Sequence, residues 1–158
     1  MKRSLILLLL LLVCNPTEAR DSEQYRNARY GYEVNVPAGF TAHPEAPNGD
    51  GRRFCAADGQ VELLVYGSNN IEGKSLKQLL GEAALSLPVK PAYENHGRTW
   101  FVLSWLEGST IHYRKTFVGR GCTQSFWLSY PRELSNRYDR VATELEKSFR
   151  PGDLSSGH

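Results

Sequence analysis

Residues 98–131 read RTWFVLSWLEGSTIHYRKTFVGRGCTQSFWLSYP, and this stretch decides the fold. Turn signals at Glu107-Gly108 and Gly119-Arg120-Gly121 divide it into three strands of about nine residues each. The first strand carries apolar side chains on both of its alternating sets, which predicts a strand covered on both faces. We therefore expect it to form the centre of an antiparallel sheet with further elements packed on each side.

A β-hairpin is predicted just before this stretch, over residues 52–66. Asp58-Gly59 is the pair preferred in a two-residue type I′ turn, and with this turn Asp50 lies opposite Gly67. The two polar loops that flank the hairpin should therefore emerge at the same end of the sheet.

Two amphipathic helices complete the expected α+β domain. Ser75-Leu76-Lys77-Gln78 has the spacing of a capping box and opens a helix that ends before Pro88. A second helix ends before Pro151 and begins either at residue 132 or near Tyr138. Residues 30–36 are predicted to form a strand, and residues 91–94 a short edge strand. Residues 20–27 and 40–50 are expected to be irregular, and residues 152–158 to form a disordered tail.

Length and composition fit one globular domain, which we place at residues 20–151. The chain has 158 residues, of which 41% are hydrophobic and 23% charged, as in ordinary folded proteins. The formal net charge of +2 is too small to predict nucleic-acid binding, which needs a concentrated basic surface.

The N-terminal residues have the pattern of a signal peptide. Lys2 and Arg3 precede an unbroken apolar run over 5–13, and Thr17-Glu18-Ala19 offers a cleavage site. The apolar run is about half the length that a membrane-spanning helix needs. We expect residues 1–19 to be removed and the mature protein to be periplasmic or secreted.

Cys14 leaves a second form of export open, in which a lipoprotein is cut before this cysteine and anchored through it. Val13 occupies the preceding position, where lipoprotein signals carry a small residue. Membrane association is expected only if Cys14 is lipidated.

Cys55 and Cys122 are the remaining thiols. In an oxidising compartment two such cysteines pair, and a Cys55–Cys122 disulfide would stabilise the fold by about 4 kcal/mol. Two separate buried thiols are the alternative.

Three sequence motifs resemble those of the PsbP-like superfamily over most of residues 28–150. They are VPAGF at 36–40, NGDGRRF…DG…LLVYG from residue 48, and YP…Y…SF from Tyr130 to Phe149. Exported bacterial envelope proteins of this superfamily are the most similar. The resemblance implies an α/β/α sandwich, an antiparallel sheet flanked by two helices, and a role in binding rather than catalysis.

The polar loops beside the hairpin are the candidate binding site. We expect a polar rim for a ligand or partner there, with Tyr66 lining a shallow cleft. Two sharper interpretations are weak: the glycines of residues 67–75 are one residue too far apart for a P-loop, and a Ca²⁺ site would have a single carboxylate. The candidate residues are Asn48, Asp50, Arg52, Arg53, Tyr66, Asn69 and Asn70.

No catalytic pattern is present. The chain has no G-x-S-x-G, H-E-x-x-H or C-x-x-C motif, so we predict no catalytic residue, cofactor or metal. A patch of Arg52, Arg53, Arg114, Lys115 and Arg120 would suit an acidic partner or phospholipid headgroup; the same charges also suit solvated strand edges. The sequence therefore predicts an exported, non-catalytic binding or accessory protein of the bacterial envelope, whose partner is another envelope protein or a small ligand. A hydrolase with an unrecognised site is the alternative.

Overall fold

A computed structural model describes residues 22–158 of the chain. The predicted signal peptide and Cys14 lie outside the described residues. The elements are β1 (Glu23–Arg26), β2 (Glu33–Val36), β3 (Phe40–Ala42), β4 (Gly51–Ala56), β5 (Glu62–Asn69), α1 (Leu76–Leu85), β6 (Tyr93–His96), β7 (Trp100–Glu107), β8 (Thr110–Val118), β9 (Cys122–Pro131) and α2 (Ser135–Ser148).

Seven strands form one antiparallel sheet in the order β3-β4-β5-β9-β8-β7-β6. The β7–β8–β9 meander is as predicted, but the expectation that its first strand is central is wrong. The central strand is β9, because the β4–β5 hairpin pairs with its free edge and leaves β7 beside the short edge strand β6. Burial on both faces of β7 reflects the layers above and below it, not its position in the sheet.

The two helices cover opposite faces of the sheet, as expected of an α/β/α arrangement. On the α2 face, α2 and the small β1–β2 sheet enclose the larger core, which includes Tyr32, Phe126 and Phe149. On the α1 face, α1 buries a single side chain, Leu80, against β7. On this same face, the side chains of β4 and β5 are only half-buried or exposed.

The N-terminal part differs from the prediction, because β1 and β3 were both expected to be irregular. A turn held by Asn27 returns the chain from β1 into β2: its Oδ1 accepts from Tyr30 N at 2.7 Å, and its Nδ2 donates to Gly49 O at 2.9 Å. Gly31 provides the positive φ of 71° that this turn requires. The bond to Gly49 joins residues 22 positions apart, and the alternation of apolar and polar residues gives no sign of it.

The hairpin register is as predicted, with Cys55 opposite Glu62 and Gly67 N donating to Asp50 O at 2.8 Å. The predicted turn type is wrong. Only Gly59 of the loop has positive φ, whereas type I′ needs it at both central residues. The loop has four residues, 57–60, and is closed by Ala56 N donating to Val61 O at 2.9 Å.

The two helices begin differently: a side-chain capping box precedes α1, and a 3-10 turn without a side-chain cap precedes α2. The capping box is confirmed, since the Ser75 side chain accepts from Gln78 N and the Gln78 side chain accepts from Ser75 N. Before α2, Arg132–Leu134 form a single 3-10 turn and the regular helix begins at Ser135. The start of α2 therefore lies between the two predicted positions.

The predicted Cys55–Cys122 disulfide is wrong for this fold, and both cysteines are free. Cys55 lies opposite Glu62, which lies opposite Ser129, so seven residues of β9 separate that position from Cys122. This is about 23 Å of strand, and a disulfide requires Cα atoms within about 7 Å. The odd offset also puts the two side chains on opposite faces of the sheet.

Residues 152–158, expected to be disordered, pack against the end of the sheet. Gly121 N donates to Leu154 O at 3.0 Å, and Gly152 N donates to Gln124 Oε1 at 2.8 Å. A Cβ on Gly121 would overlap the backbone of this segment, so the close approach depends on glycine. Within residues 22–158, no helix has the length and apolar character needed to cross a membrane.

Candidate binding cleft

A cleft of about 580 Å³ opens between the segment 43–53 and strand β5. It lies at the end of the sheet where the flanking loops were predicted to meet. Its walls are formed by His43, Pro44, Ala46, Asn48, Asp50, Gly51, Arg52, Arg53, Leu64, Tyr66, Gly67 and Ser68. A second depression of about 520 Å³, between β1–β2 and α2, is walled mainly by polar side chains such as Gln24 and Lys147.

Backbone hydrogen bonds hold the wall that the 43–53 segment contributes. His43 N donates to Arg53 O at 2.9 Å, and Ala46 N donates to Gly51 O at 3.0 Å. Gly49 takes a positive φ of 72° at the tip of the loop. A wall fixed by its own backbone presents the cleft largely preformed.

The structure places five of the seven predicted site residues on the cleft wall and two outside it. Asn69 and Asn70 line a smaller neighbouring groove of about 230 Å³. Asn70 donates to Lys74 O and Gly119 O at 2.9 and 3.0 Å and accepts from Lys74 N at 2.9 Å. These bonds use the capacity of the Asn70 amide within the fold, so its role is to shape the loop.

Of the five predicted residues on the cleft wall, Asn48, Asp50 and Arg52 make contacts within the protein. The Asp50 carboxylate pairs with Arg29 at 2.6 Å and accepts from the Asn48 amide. Arg52 donates from Nε to His43 O at 2.6 Å, with its guanidinium 6.0 Å from the centroid of the Tyr25 ring. These contacts stabilise the wall and leave little of its polar capacity for a ligand.

Arg53 and Tyr66 have polar groups that a ligand can use. Arg53 pairs with Glu62 at 3.4 Å, but both side chains are about half exposed and such pairs contribute little stability. The Tyr66 side chain makes no hydrogen bond within residues 22–158. Beside them, Leu64 offers half-buried apolar surface, since alternation along β5 puts it on the same face as Tyr66.

The two more specific interpretations of this region, a P-loop and a Ca²⁺ site, gain no support. Lys74, which would be the phosphate-binding lysine of a P-loop, pairs with Glu72 and Glu82 at 3.1 and 2.9 Å. In the described part of the chain, no three His, Cys, Asp or Glu side chains are grouped as a metal would require.

A second group of side chains, not predicted from the sequence, lies on the α1 face between α1 and the open half of the sheet. We call it the tryptophan cluster; it consists of Trp105, His112, Arg114, Trp127 and Ser129. The guanidinium of Arg114 lies 5.9 Å from the Trp105 ring and 5.8 Å from the Trp127 ring. The His112 ring stacks on Trp105 at 4.8 Å. Strand register would have revealed this group, because the meander pairs His112 with Ser129 and Arg114 with Trp127.

His112 has a defined tautomer in this cluster. Trp127 Nε1 can only donate, and it lies 3.2 Å from His112 Nδ1, so Nδ1 is an acceptor and the ring proton is on Nε2. Ser129 Oγ lies 2.9 Å from the same Nδ1, and Glu107 Oε2 lies 3.6 Å from Nε2. Burial lowers the pKa of His112, and the charge of Glu107 acts in the opposite direction.

The predicted cationic patch does not form as one surface. Arg53 and Arg114 share the α1 face, whereas Arg52 and Lys115 point to the opposite face. Lys115 is paired with Glu146 at 2.9 Å.

Comparison with known proteins identifies the fold and nothing finer. No protein-family model matches this chain, and no curated protein sequence does. Among solved structures, the chain is similar to the solution structure of cyanobacterial PsbP (CyanoP) from Synechocystis sp. PCC 6803, with a TM-score of 0.63 and 14% sequence identity. The match covers 89% of this chain and 98% of the other. The PsbP-like fold expected from the sequence motifs is confirmed.

Proposed function

We propose that this protein is an exported, non-catalytic binding or accessory protein of the cell envelope, and that its ligand or partner occupies the cleft between segment 43–53 and β5. One observation carries the proposal: a preformed cleft of about 580 Å³ presents apolar surface from Leu64 beside the half-exposed Arg53 and the Tyr66 hydroxyl. Binding sites typically combine such apolar walls with a few orienting polar groups.

The chemistry of the cleft favours binding over catalysis. His43 and Ser68 both line it, but neither side chain is hydrogen-bonded to the other. A nucleophile is activated by a base within hydrogen-bond reach, and the cleft wall offers no such pair among the described residues. Export to the periplasm or beyond is supported by the N-terminal pattern alone.

Native mass spectrometry of protein gently recovered from its own host tests the proposal. We expect wild-type protein to lack residues 1–19 and to retain a bound molecule or partner protein. The double variant Arg53→Gln/Tyr66→Ala should lose that species, whereas Arg140→Gln, at an exposed α2 position, should retain it. Retention by the double variant, or a bare protein in every sample, would refute the assignment of the cleft.

A second candidate function, hydrolysis, is favoured by the geometry around His112. Ser129 Oγ, His112 and Glu107 follow the order of nucleophile, base and orienting carboxylate, with the distances of 2.9 and 3.6 Å given above. Two features weaken it. Trp127 N–H competes for the base nitrogen, and the backbone N–H groups of β9 are used in strand pairing rather than free to stabilise an oxyanion.

A fluorophosphonate probe discriminates between the two candidates. A hydrolase would be labelled on Ser129, and labelling would disappear in Ser129→Ala and in His112→Gln. Absence of labelling in folded wild-type protein at neutral pH, where the base nitrogen of His112 is unprotonated, would exclude this candidate.

A further inference from the structure

We propose that Arg114 is a binding site for an oxyanion, a carboxylate or phosphate group carried by a small molecule with an apolar body. This inference goes beyond the proposed function, because its anion-binding group, Arg114, belongs to the tryptophan cluster and does not line the cleft.

The guanidinium of Arg114 has no acceptor for its N–H groups. Its Nε and Nη2 atoms are buried without a hydrogen-bond partner, and so is Trp105 Nε1 in the same cluster. A buried donor left without an acceptor destabilises the folded state, and a charged donor does so more strongly than a neutral one. Three such donors in one cluster indicate that an acceptor binds there.

Neighbouring groups do not supply that acceptor. No carboxylate of this face forms an ion pair with Arg114: Glu62 lies 3.4 Å from Arg53, Glu107 lies 3.6 Å from His112, and Glu94 lies two strands away, opposite Leu103. The rings of Trp105 and Trp127 stabilise the positive charge through cation–π contacts, but a ring face beside a guanidinium does not satisfy donors in its plane. Within residues 22–158, Arg114 therefore has neither an ion-pair partner nor a hydrogen bond.

An oxyanion fits this arrangement better than a neutral acceptor. The guanidinium is planar, permanently charged and carries its donors in a fork that matches the two oxygens of a carboxylate or phosphate. Nη1 has no hydrogen bond and is not among the buried unpartnered atoms, so it remains accessible from the surface. An arriving anion can contact Nη1 first and then reach the inner edge of the fork.

The residues beside Arg114 define the rest of the ligand. Across the sheet, Arg114 lies opposite Trp127, Trp127 opposite Leu64, and Leu64 opposite Arg53. The half-buried Trp127 and Leu64 thus form an apolar strip between two arginines three strands apart, about 14 Å at the usual strand spacing. We therefore expect a small amphipathic acid whose apolar body lies over this strip.

Fluorescence titration and NMR test the assignment directly, since two of the three tryptophans flank Arg114. The probes are octanoate, acetate and inorganic phosphate. We expect a saturable change in tryptophan emission with octanoate and a weaker one with acetate. In the wild-type protein, the indole N–H signal of Trp105 should shift downfield as it gains an acceptor. Saturable binding of phosphate with no effect of either carboxylate would identify the anion as a phosphate.

Substitutions show whether the response depends on Arg114. Arg114→Met should weaken octanoate binding at least about tenfold, and Arg114→Lys should weaken it less, since it keeps the charge but not the fork. The exposed Arg140→Met is the matched control and should bind as the wild type does.

Three results would overturn the inference: no saturable change with any probe, an unshifted Trp105 indole signal at saturation, or unchanged affinity in folded Arg114→Met. Its failure is separable from that of the proposed function. The cleft variant Tyr66→Ala should keep octanoate binding, and Arg114→Met should keep any partner that is held by the cleft.

Discussion

Replacing Gly67 with alanine should destabilise the protein by overpacking one contact. Gly67 lies in β5 under the ring of Tyr30, which is 2% exposed. An added Cβ would come 2.6 Å from Tyr30 Cδ1 and nearer still to two other ring atoms, whereas real Cβ contacts are essentially never below 3.0 Å. The ring cannot move away freely, because Asn27 holds the Tyr30 backbone at 2.7 Å.

The magnitude follows from comparison with a second Gly→Ala change. Overpacking lowers the free energy of unfolding by about 1–3 kcal/mol. The loss of glycine flexibility in the unfolded chain raises it by about 0.4–1 kcal/mol. Gly81 lies inside α1, where an added Cβ meets no atom within 4 Å, so Gly81→Ala should stabilise by about 0.5–1 kcal/mol. We expect the two chemically identical substitutions to differ by about 2 kcal/mol.

Urea unfolding measures this difference. An unchanged slope of the unfolding free energy against urea concentration would show that the substitution altered only the stability of the native state. For a domain of this size each kcal/mol also moves the melting temperature by about 3–4 °C. Combining Gly67→Ala with Tyr30→Ala should remove most of the penalty, since the two sites are in contact. Equal stability of Gly67→Ala and Gly81→Ala would refute the packing of Tyr30 on β5.

The remaining predictions concern thiols and protons. A thiol reagent should label Cys55 in the native protein and Cys122 only after unfolding, because Cys122 is fully buried; a mass lower by two hydrogens would instead indicate a disulfide. Burial lowers the pKa of His112 below 6.5, so the unfolded chain binds more protons near pH 6. The stability contribution of His112 should therefore be complete above pH 6.5 and fall as the pH drops below that value, and urea unfolding of His112→Gln should show a smaller fall. Hydrogen bonds from Ser156 and Ser155 lower the pKa of Asp153 to about 2, so contacts of the 152–158 segment should persist above pH 3.8 and weaken as the pH falls towards 2. Amide exchange at Gly121, which donates to Leu154 O, would report this, and unchanged protection at pH 2 would contradict it.

Features of the fold that depend on neighbouring residues could be predicted from the sequence. The capping box at Ser75 and the hairpin register at Cys55 depend on side chains a few positions apart, and both were predicted correctly. Strand β1 was missed because only Tyr25 of its four residues is buried, so it carries no alternating pattern. Its pairing depends instead on the turn that Asn27 closes.

Features that depend on pairing between distant strands could not be predicted in the same way. The disulfide prediction came from the expected oxidising compartment and not from strand positions, and the insertion of β5 and its register with β9 separate Cys55 from Cys122. The sequence analysis placed the two polar loops at the same end of the sheet because the hairpin register alone puts Asp50 opposite Gly67. The tryptophan cluster was missed because the sequence analysis assigned no register to the meander, whose pairing of His112 with Ser129 and Arg114 with Trp127 brings these side chains together.

The unequal anchoring of the two helices means that the molecule should not open uniformly. α1 buries one side chain, Leu80, and the neighbouring edge strand β6 has all four of its residues exposed, whereas α2 buries three. Brief local unfolding should therefore begin with α1 and β6, at a free energy well below that of global unfolding. Such excursions would expose Trp105 and the inner edge of Arg114 to solvent while the core beneath α2 stays closed. Local unfolding of α1 and β6 thus gives solutes access to the charge of Arg114, which the folded structure keeps mostly covered.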